Sequence, residues 1–260
     1  MKVLCLHGQN QSGRIFKNAI ESIPLDHQDS SVNLEFEFLD GPLRCADHAA
    51  NGEPLYRYYE TLDIPEIRKA HQWLGAKLHE GGPYDGVVAF SQGAALVSSY
   101  LLYHQWYNHE SPPPFRLAMF IGGSIPLQVL KDLGVPVSKE AERVVEEAKY
   151  QRHRALGPLP AHSSKARRAV FNSDDCFGLN LNSIPLELKI RIPTIHVWGK
   201  EDPLLPASIH LVGFCDPYIR KIHIHEGAHE VPETKDDRIE LGQLLQWGLQ
   251  RAVWPGHDEV

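Results

Sequence analysis

The chain has 260 residues, with 26 Lys and Arg against 33 Asp and Glu for a net charge of −7, and is 42% hydrophobic and 23% charged. The length suits one α/β domain with a sizeable core, and the composition excludes a disordered chain. The acidic balance argues against a nucleic-acid partner, which calls for clustered positive charge.

The first run, Met1-Lys2-Val3-Leu4-Cys5-Leu6-His7-Gly8, is too short for a signal peptide and ends in a Gly-Gln-Asn turn. Cys5, Cys45, Cys176 and Cys215 are scattered without a CxxC pair, so neither a disulfide framework nor a cysteine zinc site is indicated. A cytoplasmic, reducing location is the expectation. β-rich runs recur at Val3 to His7, Leu34 to Leu39, Gly86 to Phe90, Leu117 to Ile121, Thr194 to Trp198 and Lys221 to His225. Several are apolar at consecutive positions, as parallel strands covered on both faces are. Helical spacing lies between them. Pro65 to His79 places Ile67, Ala70, Trp73, Leu74 and Leu78 on one face, and Arg238 to Val253 places Ile239, Leu241, Leu244, Leu245 and Leu249 likewise. Residues 86–109 hold no Asp, Glu, Lys or Arg, but Ser91-Gln92-Gly93 divides them, which predicts strand, turn and buried helix in place of a membrane span. The alternation predicts an α/β fold: a mostly parallel central sheet with helices on both faces, and ligands beyond the carboxyl ends of the strands.

Residues 124–191 break this rhythm with a charged helix (Ser138 to Tyr150), a basic run (Gln151 to Arg168) and an aromatic turn around Phe171 and Phe177. That is long for a plain connection, and we read it as a cap inserted over the top of the sheet.

Three motifs fall at strand ends. In Ala89-Phe90-Ser91-Gln92-Gly93-Ala94 an apolar strand runs into a serine and a small-residue helix leaves it, the context of a nucleophile elbow. The competing reading is a serine that caps a buried helix. In Gly227-Ala228-His229-Glu230, His229 sits on a loop after a strand, where a base can reach a hydroxyl; it stands out by placement among 15 histidines. In Gly199-Lys200-Glu201-Asp202-Pro203, Asp202 is the acid expected to orient that histidine, with Glu201 as its competitor and Asp174 and Asp175 as weaker ones. The order Ser91, Asp202, His229 is that of α/β-hydrolases. An oxyanion hole then needs the backbone N–H of Gln92, after the nucleophile, and a second N–H past an early strand, for which Gln9 in Leu6-His7-Gly8-Gln9-Asn10 is placed. A phosphate loop at residues 8–13 lacks both the GxGxxG spacing and the Gly-Lys-Ser/Thr ending.

With Phe38-Leu39-Asp40-Gly41-Pro42 added, these motifs resemble the fungal serine hydrolase (FSH) family from Val3 to about Leu249. The sequence departs from the family pattern at Ala89, at Ala228 and at Gly41-Pro42-Leu43. The family includes thioesterases that release polyketides. The resemblance implies a Ser91, Asp202, His229 triad, an oxyanion hole at Gln9 and Gln92, and thioester or ester cleavage through an acyl-enzyme without metal or organic cofactor. It also implies an acyl-carrier domain as partner, which the basic run Arg152 to Arg168 could meet. The alternatives are a carboxylesterase acting on small soluble esters and a non-catalytic hydrolase-fold binding protein.

Overall fold

The six β-rich runs form one sheet in the computed structural model, which describes residues 1–21, 23–24, 34–48, 52–154 and 175–253. Along the chain lie β1 (Lys2–Leu6), α1 (Gly13–Ile20), β2 (Glu35–Leu39), the hairpin of β3 (Leu43–His48) and β4 (Pro54–Arg57), α2 (Ile64–Gly81), β5 (Gly86–Phe90) and α3 (Gln92–Tyr107). Then follow β6 (Leu117–Ile121), α4 (Leu127–Asp132), α5 (Lys139–Arg154), the two-residue strands β7 (Asp175–Cys176) and β8 (Leu179–Asn180), β9 (Thr194–Gly199), α6 (Leu205–Gly213), β10 (Arg220–His225) and α7 (Lys235–Val253). The sheet order is β10-β9-β6-β5-β1-β2, and every pair in it is parallel.

Successive strand residues point to opposite faces, and in the inner strands β1, β5, β6 and β9 both faces are covered, which is why those runs are largely apolar throughout. Val3, Cys5, Val88, Met119, Ile121, Ile195 and Val197 pack with Phe16 and Ile20 of α1 and with Leu241, Leu245 and Leu249 of α7. Their neighbours Leu4, Leu6, Val87, Ala89, Ala118 and Phe120 pack on the other face with Ile67 and Leu74 of α2 and Leu96 and Leu102 of α3. Fully burying one such Leu or Phe stabilises the fold by about 1.5–3 kcal/mol relative to exposure. One expected core residue is outside: Ile239 is 38% exposed. At 3.6 residues per turn it lies about 160° from Leu241 and about 120° from Leu245, off the buried stripe of α7 that they define.

β1 has β2 on one side and β5 on the other, so the chain reverses its direction of travel across the sheet at β1. The carboxyl ends of β1 and β5 therefore open side by side, the place where such sheets bind ligands.

Candidate active site

β5 ends in Ser91, whose backbone adopts φ 52 and ψ −112, a conformation that few side chains occupy. The turn is held by its neighbours. The Ser91 N–H donates to the Ile121 carbonyl of β6 at 2.9 Å, and its own carbonyl accepts from Ala95 N–H at 3.0 Å in the first turn of α3. Gly93 is needed there, because a Cβ at this position would stand 2.7 Å from the carbonyl oxygens of both Leu6 and His7. Gly8 answers from the other side, where a Cβ would meet Phe90 at 2.8 Å. The two glycines let the end of β1 press against the elbow. Ser91 occupies the cap position of α3, yet its side chain makes no capping bond. Its Oγ lies 2.9 Å from Nε2 of His229 instead.

β9 and β10 carry the other two groups. Beyond the strands their loops stay paired, Lys200 N–H to the His225 carbonyl at 2.8 Å and Glu201 N–H to the Gly227 carbonyl at 3.1 Å. The approach is so close that a Cβ on Gly199 would sit 2.1 Å from the Gly227 oxygen. Asp202 is buried, with Oδ1 accepting from Leu204 N–H at 2.7 Å and Oδ2 lying 2.9 Å from Nδ1 of His229. Glu201, one residue earlier, is exposed. Asp174 lies outside the described residues, and Asp175 opens β7, paired with Asn180. A carboxylate oxygen only accepts, so the His229 proton sits on Nδ1 and the Nε2 lone pair faces the Ser91 hydroxyl. Gly122, at φ +53 after β6, makes room for this ring: a Cβ there would be 2.7 Å from His229 Cε1. The sequence reading missed Gly122, since its importance comes from a residue 107 positions away in the chain.

Gln92 opens α3, where first-turn N–H groups have no acceptor in their own helix and the helix dipole favours negative charge. Its side chain binds elsewhere, accepting from Tyr58 N–H at 3.0 Å and donating to the Tyr59 carbonyl at 2.9 Å. The 8–11 loop is tied down by Gly8 N–H donating to Gln11 Oε1 at 3.0 Å, and by a bridge to β4 through Asn10 N–H to Tyr56 O and Tyr56 N–H to Gln11 O. Gln9 and Gln92 both line a cavity of about 720 Å³ that opens over Ser91.

The far wall of this cavity comes from the segment that interrupts the strand and helix rhythm. Leu127 and Lys131 of α4 and Glu142, Val145 and Lys149 of α5 line it. An ion pair between Lys131 and Glu142 joins the two helices there. Of the basic run, only the first four residues, at the end of α5, fall within the described part of the chain. Among the described residues no group of three or more His, Cys, Asp or Glu is arranged to hold a metal ion, and no helix is long and apolar enough to cross a membrane.

A family model described as "Serine hydrolase (FSH1)" matches residues 1–241. Esterase alnB of Emericella nidulans is 25% identical over 96% of this chain and 97% of its own length. Hydrolase phiM of a fungal species is 33% identical over 92% and 89%. Among solved structures, a SOBER1 variant of Arabidopsis thaliana superposes with a TM-score of 0.53 at 14% identity over 97% and 99% of the two chains. A carboxylesterase from Mesorhizobium loti does so with a TM-score of 0.51 at 16% identity over 94% and 88%. The fold is that of the α/β-hydrolases.

Proposed function

Because the chain belongs to the FSH1 family of serine hydrolases, and with it to the ester-hydrolysing enzymes, we propose that it works by two-step acyl transfer at Ser91. The observation that carries this reading is the continuous chain Ser91 Oγ, His229 Nε2, His229 Nδ1, Asp202 Oδ2, with 2.9 Å at each of its two links. His229 takes the Ser91 proton as Oγ attacks the acyl carbonyl, and Asp202 stabilises the imidazolium that forms. The N–H groups of Gln9 and Gln92 hold the oxyanion. His229 returns the proton to the leaving thiol or alcohol, and water, activated by the same base, then frees the acid.

For the substrate we infer an acyl thioester of polyketide type presented by a carrier domain. The resemblance to polyketide-releasing members supports this, and so does a cavity of about 720 Å³, far roomier than an acetyl group needs. The basic run Arg152 to Arg168 is the part of the chain that would meet an acidic carrier. A second reading, an oxygen ester, is favoured by the name "Esterase" that alnB carries.

Ser91→Ala is expected to abolish hydrolysis of a p-nitrophenyl ester while the circular dichroism spectrum stays that of the parent; turnover at the parent rate would refute the assignment. Rates on acyl-N-acetylcysteamine thioesters against matched oxygen esters separate the two substrate readings. A strong oxygen-ester preference sinks the thioesterase one.

A further inference from the structure

His7 follows β1 and is fully buried, its ring stacked on Tyr58 with 5.0 Å between centroids. Two contacts define its chemical state. The Gly41 N–H points at Nε2 from 3.0 Å, and an N–H can only donate, so Nε2 carries no proton. The ring proton of the neutral imidazole is then on Nδ1, 2.7 Å from the Gly8 carbonyl oxygen, to which it donates. Burial holds the His7 pKa below its ordinary 6.5, which keeps the ring in this neutral form at neutral pH. The Gly8 carbonyl and the Gln9 N–H are the two ends of one planar trans peptide and point in opposite directions. A carbonyl fixed toward the buried ring leaves the Gln9 N–H directed away from that ring, and Gln9 is one of the residues that line the cavity with Ser91. The donated bond also polarises the peptide and strengthens its N–H as a donor.

We propose that His7 is a positioning residue of the hydrolysis: its Nδ1–H sets the Gly8–Gln9 peptide so that the Gln9 N–H meets the oxyanion. This rests on the oxyanion role given to Gln9 above. Two variants separate the role from plain packing, because each keeps one half of the imidazole's bonding. The Asn amide reaches where Nδ1–H stood and can still donate to Gly8. The Gln side chain reaches where Nε2 stood and can still accept from Gly41.

Steady-state kinetics on p-nitrophenyl acetate are measured for the parent, His7→Asn, His7→Gln and Ser91→Ala. His7→Gln is expected to lower kcat by roughly 10²–10³, the loss typical of one oxyanion donor. KM stays nearly unchanged, because the lost interaction belongs to the transition state, and His7→Asn keeps most of the parent kcat. Parent-like kcat in His7→Gln, equal losses in both variants, or a larger loss in His7→Asn overturns the inference. If Ser91→Ala turns over at the parent rate, the reading beneath fails and takes this one with it. An inactive Ser91→Ala beside a fully active His7→Gln sinks the His7 role alone. Nitrogen-15 spectra of the unmutated protein test the same point however the variants fold: the Nδ1–H tautomer at His7 is expected, and the Nε2–H tautomer overturns the inference.

Discussion

Asp202 and Glu201 are adjacent acids on one turn, and their fates differ by a single step of the backbone. Asp202 has one oxygen fixed by Leu204 N–H and the other 2.9 Å from His229, whereas Glu201 is exposed. Asp202→Asn presents an amide where His229 needs an acceptor and favours the wrong tautomer. The expected loss is about 10⁴ in kcat, the magnitude for an uncoupled triad acid. Glu201→Gln is expected to keep the parent rate, and steady-state kinetics on the same ester compares the two. Gly122 sets a steric limit on the same ring. Alanine there would strain a backbone at φ +53 and place a Cβ 2.7 Å from His229 Cε1. Displacing a reacting group by about 1 Å costs on the order of 10²-fold in rate, so Gly122→Ala is expected to lose kcat to that extent while still folding cooperatively on heating. That Ser91, Asp202 and His229 come together could be anticipated because each follows a strand at a small-residue turn. Gly122 and His7 were not, because their work is defined by partners distant in sequence, His229 for the one and Gly41 for the other.

The four inner strands of the sheet could be read from largely consecutive apolar residues because helices cover both of their faces, and the partly exposed edge strands β2 and β10 from apolar residues at alternate positions. The hairpin β3–β4 could not. Its strands mix polar and apolar residues without a clean alternation and shift register between Arg44 and His48, and Tyr56 gains a role only by bridging to Gln11 in the loop before α1. β7 and β8, two residues each, lie below any periodic signal. α5 was visible as a charged helix, but charge pattern alone does not say which face meets the site. Val145 is that face: it is buried and lines the cavity among Glu142, Glu146 and Lys149. A larger side chain here should shorten the acyl chain the enzyme accepts without touching the reacting groups. Val145→Trp is expected to leave acetyl ester turnover near the parent value and to raise KM steeply for octanoyl and longer esters. A parallel loss on all chain lengths would show that α5 does not face the acyl group.

Several histidines are held neutral by burial, and folding is coupled to pH through them. Burial, with the Arg220 charge adding to it, pushes His196 down to about 3, and burial, with Arg68 adding to it, brings His71 down to about 4. His7 and His225 are lowered as well, chiefly by burial. In the unfolded chain such a ring titrates near 6.5, so below that pH the unfolded state binds protons that the folded state refuses. The stabilisation from each ring is therefore complete above about pH 6.5 and is lost progressively as the pH falls toward the folded value. The slope is about 1.4 kcal/mol per pH unit for each ring. Between pH 6.5 and 5, His71 alone is expected to account for about 2 kcal/mol of lost stability. Its Nε2 lies 2.8 Å from Ser99 Oγ across the α2–α3 contact, so His71→Gln keeps a polar group beside that hydroxyl while removing the titration. Urea unfolding at a series of pH values should show the variant less stable than the parent at pH 7.5 but with a shallower decline on acidification, by about one proton's worth of slope. Two curves falling in parallel would mean that His71 is protonated in the folded protein, and that the α2–α3 contact holds a charged ring.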